Sequence, residues 1–106
     1  MPAIAITPEN WETEVMQSEV PVLVDFGAEW CGPCQRLAPF VEELANDFSG
    51  RAKVAKVDVD QNQSLAQQFN VMSVPTVKIF KGGEDLRTWI GFTPKETLAQ
   101  GLEEAL

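Results

Sequence analysis

Apolar positions along this chain fall into stretches whose spacing switches between the strand and helix periods, and that alternation predicts most of the architecture. A short apolar segment, Ala3–Ile6, is followed by Thr7-Pro8-Glu9, which offers an N-cap, a proline at the first helical position and an early acid. The pattern predicts a helix over 8–17, with Trp11 and Val15 four apart on its inner face. Val20-Pro21-Val22-Leu23-Val24-Asp25-Phe26 is almost continuously apolar, as expected of a central strand covered on both faces with proline at its start. A second helix is expected from Pro33 through Leu37, Phe40, Val41, Leu44 and Phe48, bounded by Ser49-Gly50 and kinked at Pro39.

The second half repeats the alternation. Residues 52–59 predict a strand parallel to the central one, and Leu65, Ala66 and Phe69 a short helix after the capping residues 60–64. Asn70 suits a left-handed helix end. Residues 76–80 and 85–90 read as a hairpin about the turn Lys81-Gly82-Gly83-Glu84, with Lys78 and Arg87 as solvated edge charges and Trp89 packed. Thr93-Pro94-Lys95-Glu96 carries a capping-box signature before a terminal helix with Leu98, Leu102 and Ala105 on its buried stripe. The order β-α-β-α-β-α-β-β-α gives an α/β fold: a mixed five-stranded sheet flanked by four helices on its two faces.

At 106 residues the chain suits one domain, 1–106, with a genuine core. The net charge of −8 argues against nucleic acid or an anionic membrane as main partner, and no stretch is long enough to span a bilayer. The N-terminus, Met1-Pro2-Ala3-Ile4-Ala5-Ile6, lacks the basic and long apolar regions of a secretory signal. A cytoplasmic monomer is expected, or an organellar protein after processing.

The chemistry concentrates where the central strand gives way to the second helix. Cys31 and Cys34, the only cysteines, are three positions apart in Trp30-Cys31-Gly32-Pro33-Cys34. If the helix begins inside this motif, the two sulfurs are surface neighbours close enough to bridge. The unpaired N–H groups and dipole of the first turn favour a thiolate at Cys31. Proline is tolerated in that turn, and Gly32 leaves the approach to sulfur open. The same pair is compatible with a structural staple or with half a metal site, but a structural zinc wants four ligands and the chain has no histidine and no third cysteine. A redox dithiol is the expected use, with no metal bound within the chain. Asp25, a carboxylate in an apolar strand, must find a partner or hold its proton near neutral pH.

Around the dithiol the sequence resembles the thioredoxin family. Trp-Cys-Gly-Pro-Cys is that family's active-site motif, here preceded by Val24-Asp25-Phe26-Gly27-Ala28-Glu29. The resemblance continues through Pro39, Lys56-Val57-Asp58, Val74-Pro75-Thr76, Phe80-Lys81-Gly82-Gly83 and Gly91. It implies the thioredoxin fold and a protein-disulfide reductase in which Cys31 is the nucleophile, Cys34 the resolving thiol, and the two cycle through a disulfide. It implies proton transfer between Asp25 and Cys34, with Lys56 in support, and a cis bond before Pro75. Trp30, Gly32, Pro33, Val74, Pro75 and Gly91 would contact disulfide-containing target proteins, Val74 through its backbone. Cys31 is expected to be exposed and Cys34 buried. No bound cofactor is implied; a thioredoxin reductase using NADPH or ferredoxin would supply the reducing equivalents.

Two positions depart from the family pattern: Gly27 stands where many thioredoxins have an aromatic residue, and Gln35 where a lysine is common. They leave redox potential and partner choice open. A disulfide oxidase or isomerase, a redox-independent binding module, and a metal or iron–sulfur protein bridging two chains remain the alternatives.

Overall fold

In the computed structural model, which describes residues 2–106, five strands form one sheet in the order β1-β3-β2-β4-β5. Met1, which the expected 1–106 domain and the leader reading include, lies outside the described residues. The strands are β1 (Ile4–Ala5), β2 (Val22–Gly27), β3 (Lys53–Asp58), β4 (Thr76–Lys81) and β5 (Glu84–Ile90). β2 pairs parallel with β3 and antiparallel with β4, so the central strand expected from its apolar run is central, and the sheet is mixed. The helices α1 (Gly32–Asp47), α2 (Gln63–Gln68) and α3 (Lys95–Ala105) join a π-helical segment, Glu12–Met16.

Alternation along β2 divides the core in two. Leu23 points with Val77 and Ile79 of β4 toward Leu37, Val41 and Leu44 of α1 and Leu98 and Leu102 of α3. Val22, Val24 and Phe26 point to the other face, where they meet Trp11, Val15, Leu65 and Phe80. Trp11 is the hub of that second cluster, with Phe69 and Phe80 centroids 5.1 and 5.4 Å away, and its reading as core stands. Asp25 shares the phase of Leu23, so its carboxyl lies on the face covered by α1.

Local expectations fail where side chains find other partners. The first of the four expected helices is present but shorter than 8–17 and of π type, Glu12–Met16, entered through turns and closed by the Gln17 N–H to Glu12 carbonyl bond of 2.9 Å. Thr7 does not cap it: its hydroxyl and backbone N–H both donate to Asn10 Oδ1, while Asn10 Nδ2 donates to the Ala5 carbonyl. Thr93 likewise donates to the Gly91 carbonyl instead of capping α3, whose first turn begins after Pro94.

Lys78 is not a solvated edge charge. It is buried, with Nζ 2.7 Å from Asp85 Oδ2 and 3.0 Å from Thr88 Oγ1. The edge strand β5 supplies both partners, so the ammonium is satisfied without reaching water. Arg87 remains exposed, stacked over the Trp89 ring and paired with Glu104. The hairpin turns on Gly82 and Gly83, both left-handed at φ 60° and 80°, as a two-residue loop of primed type requires. Asn70 takes the left-handed backbone, φ 57°, expected at its helix end.

Candidate functional site

The strand-to-helix junction after β2 places the dithiol. Cys31 has extended backbone, φ −93° and ψ 113°, and is the N-cap of α1; Gly32 and Pro33 fill the first turn. The residue before helical torsions begin offers its side chain to the free N–H groups of that turn. Here the side chain is a sulfur: the Cys34 N–H donates to Cys31 Sγ at 3.2 Å. The two cysteines are joined as a disulfide, with Cα atoms 5.2 Å apart. Once the bond opens, the same N–H and helix terminus stabilise negative charge on Cys31.

Exposure does not divide as the resemblance implied. Cys31 is 4% exposed and Cys34 8%, so both are buried. Cys31 packs against Ala28 and Val74, and its Sγ lies 3.7 Å from the Val74 carbonyl oxygen, an acceptor for the reduced thiol. What is open is the surrounding rim. Trp30 is 71% exposed, its ring held by Nε1 donating to Asp60 Oδ2 at 2.8 Å.

The segment facing the dithiol enters β4 through a cis Val74–Pro75 bond. Pro75 is buried and Val74 half-buried. Gly91, left-handed at φ 87°, donates its N–H to the Pro75 carbonyl at 2.8 Å and so ties the end of β5 to this segment. Gly32 is exposed and Pro33 half-buried at the helix start.

Two rim residues escaped the sequence reading: Met72, 91% exposed, and Ile90, 74% exposed. Met72, Trp30 and Val74 line one shallow groove, and Ile90 pairs with Thr76 beside Pro75. Ile90 carried a legible signal, because it is an apolar residue at the end of the edge strand β5, next to Gly91. Phe92 extends the apolar surface and packs edge-to-face on Phe40, centroids 6.1 Å apart.

Behind the dithiol, Asp25 is buried and its Oδ1 has no hydrogen-bond partner among the described residues. Burial pushes its pKa up from 3.8 to about 6, against the smaller opposing pull of Lys56. Lys56 is in register with Asp25 across β2 and β3 but does not bond to it; its Nζ pairs with Glu42 Oε2 at 2.9 Å. A cleft of about 270 Å³ opens beside the pair, lined by Asp25, Gly27, Cys34 and Lys56 among others. Among the described residues no group of three or more His, Cys, Asp or Glu side chains is placed to hold a metal ion, and no helix is long and apolar enough to cross a membrane.

Comparison with known proteins matches this sequence to a family. The family model described as Thioredoxin matches residues 2–104. Thioredoxin 1 of Nostoc sp. is 47% identical over 104 residues, covering 98% of this chain and 97% of that one. The thioredoxin of Staphylococcus haemolyticus is 49% identical over 106 residues, the whole of both chains. The chloroplastic thioredoxin M4 of Arabidopsis thaliana is 46% identical over 101 residues, 95% of this chain and 52% of its own length.

Proposed function

The chain belongs to the thioredoxin family and is a protein thiol–disulfide oxidoreductase, and we propose that Cys31 opens target disulfides while Cys34 resolves the mixed disulfide that results. The observation that carries this reading is the placement of Cys31 Sγ at the N-terminus of α1, with the Cys34 N–H already donated to it.

Cys31, as thiolate, attacks one sulfur of the target; the target's S–S bond breaks, and its electron pair leaves on the departing sulfur, which takes up a proton. Cys34 then attacks Cys31 Sγ, the protein's own disulfide forms, and the second target sulfur leaves reduced. The short Cα separation makes this second attack intramolecular, with no translational freedom left to lose. Asp25 accepts the Cys34 proton; its pKa of about 6 leaves it mostly ionised at neutral pH, able to act as a base. Lys56 acts on the site electrostatically, by favouring the ionised carboxylate.

Trp30, Gly32, Pro33, Val74, Pro75 and Gly91 form the contact surface, and an extended target segment pairs with the backbone of Val74. Burial of Cys31 gives this surface a purpose: the target must seat against the apolar rim before its sulfur meets the nucleophile. The family acts on disulfide-containing targets and is recharged by a reductase. For this chain we assign a thioredoxin reductase drawing on NADPH or ferredoxin, the ferredoxin branch being favoured by similarity to cyanobacterial and chloroplastic relatives. No cofactor needs to be held by the chain. We assign the whole of 1–106 to one domain acting as a monomer in the cytoplasm, where a reducing environment lets the dithiol cycle.

The test is catalysed reduction of a disulfide-bonded protein substrate by an excess of dithiol. Wild type turns over, Cys31→Ser is inert, and Cys34→Ser stalls as a mixed disulfide that can be isolated on Cys31. Wild type indistinguishable from the uncatalysed rate would overturn the reading.

A further inference from the structure

The dithiol has two approaches, and they lead to different sulfurs. On the rim side, Val74 packs with the cysteines, and Cys31 Sγ faces the Val74 carbonyl. On the other side the cleft is lined by Cys34, Gly27, Asp25, Glu29, Asp58 and Lys56, and Cys31 is not part of its wall. Gly27 creates this opening. A β-carbon at position 27 would stand 3.4 Å from Cys34 Sγ and 3.9 Å from Asp25 Oδ1, so any larger side chain would occupy the space in front of both. The cleft of about 270 Å³, at about 30 Å³ of liquid volume per water, has room for a thiol of a few heavy atoms but not for a folded protein. Asp25 Oδ1, buried and unpartnered, adjoins that space.

We propose that small thiols reduce the Cys31–Cys34 disulfide directly by entering the Gly27 cleft and attacking Cys34, so that the protein can be recharged through a face distinct from the one that meets target proteins. The thiol's proton passes to Asp25, its sulfur bonds to Cys34 Sγ, and the Cys31–Cys34 bond breaks with the electron pair leaving on Cys31. Cys31 is the better leaving group, because the Cys34 N–H and the α1 terminus receive the charge. A second thiol attacks the outer sulfur, the two thiols depart as one small disulfide, and Cys34 leaves with the proton held by Asp25. The second thiol's proton goes to solvent, from which Cys31 takes one when it protonates. Two thiols are oxidised and one protein disulfide is reduced to the dithiol. Three carboxylates line the cleft against one lysine that is paired with Glu42, so neutral and cationic thiols enter in preference to anionic ones.

This inference rests on the reading of Cys31 and Cys34 as a redox pair but not on the identity of the targets, and its test is separate from target reduction. The oxidised wild-type protein is exposed to 2-mercaptoethanol, quenched with an excess of a maleimide, and digested for mass spectrometry. The expected product carries mercaptoethanol on Cys34 and maleimide on Cys31, by at least fivefold over the reverse isomer. The reverse isomer in excess, equal amounts of both, or no adduct on either cysteine would overturn the inference, whatever the protein does to target disulfides. A second measurement uses Gly27→Phe. Its disulfide is expected to be reduced by 2-mercaptoethanol at least fivefold more slowly than that of wild type, and the advantage of cysteamine over 3-mercaptopropionate, compared at equal thiolate concentration, should shrink with it. An unchanged rate in the folded variant would overturn the inference; should the variant not fold, the wild-type adduct map decides.

Discussion

Asp25 and Lys56 are paired in register across β2 and β3, yet the lysine bonds to Glu42 and leaves the carboxyl's Oδ1 without a partner among the described residues. The carboxyl therefore feels the ammonium only through space, and burial outweighs that attraction. Changing the lysine's alternatives should move Asp25 in opposite directions. Lys56→Met removes the stabilising charge and raises the Asp25 pKa above about 6. Glu42→Gln removes the competing carboxylate, frees the ammonium to turn toward Asp25, and lowers it. Carboxyl-carbon chemical shifts followed through a pH titration of the oxidised protein report both.

The raised pKa also makes Asp25 a pH-dependent liability to the fold. The group holds its proton more tightly folded, at about 6, than at its ordinary value of 3.8. Between those values the native state binds more protons than the unfolded chain, so stability falls as pH rises through the window. About two units at 1.36 kcal/mol each give a loss of about 3 kcal/mol, complete above pH 7 and absent below pH 4. Urea unfolding should find Asp25→Asn more stable than wild type by roughly 2–3 kcal/mol at pH 8, with the two converging near pH 4. A gap that does not change with pH would mean that the carboxyl is not the source.

Ile90 tests the rim. It lies beside Pro75, is largely exposed, and takes part in no bond-making step. Ile90→Ser removes apolar area from a surface that would be covered when a target docks, worth about 1–2 kcal/mol if the side chain becomes fully buried. Steady-state kinetics with a protein disulfide should show KM raised about fivefold to thirtyfold and kcat changed much less. A fall in kcat with KM constant would place the residue in the chemistry instead of the docking.

Much of this architecture is written in the sequence because it depends on periodicity. The continuous apolar run of β2, the stripe of α1, the Gly82-Gly83 hairpin and the left-handed Asn70 need only local rules and one buried face. The dithiol is equally legible, since two cysteines three apart at a strand-to-helix junction leave little choice of geometry. What could not be read is where a polar side chain finds its partner across the fold. Thr7 and Thr93 have capping chemistry but bond elsewhere; Lys78 looks like surface until β5 wraps Asp85 and Thr88 around it; Lys56 had Asp25 in register but Glu42 within reach. The burial of Cys31 has the same origin, because Val74 comes from a segment 43 positions away.

The buried Lys78 ammonium depends on Asp85. Its side chain is almost fully enclosed, while that of Asp85 remains about one-third exposed, so solvent already screens part of the pair. Asp85→Ala leaves the ammonium with only the Thr88 hydroxyl. Removing one partner of a buried pair costs about 3–5 kcal/mol, and partial screening reduces the expected loss to about 2–3 kcal/mol. The midpoint of urea unfolding for Asp85→Ala should fall accordingly, and the double variant Lys78→Met/Asp85→Ala should recover a substantial part of it, since no charge then remains buried.

Gly101 sits inside α3, where alanine ordinarily stabilises a helix by about 1 kcal/mol. Here the sign should reverse. A β-carbon at this position would stand 2.5 Å from Trp89 Cη2 and 3.2 Å from Ile79 Cδ1, distances that neither neighbour tolerates without moving. The Arg87 guanidinium stacks over the Trp89 ring, 4.8 Å from its centroid, and Ile79 is fully buried in β4. Overpacking of this kind costs about 1–3 kcal/mol, which exceeds or cancels the propensity gain. Gly101→Ala is therefore expected to lower stability by up to about 2 kcal/mol in thermal or urea unfolding. Combined with Trp89→Phe, which removes the atoms in the way, the same substitution should become stabilising; a Gly101→Ala protein more stable than wild type on its own would show that the ring moves aside at no cost.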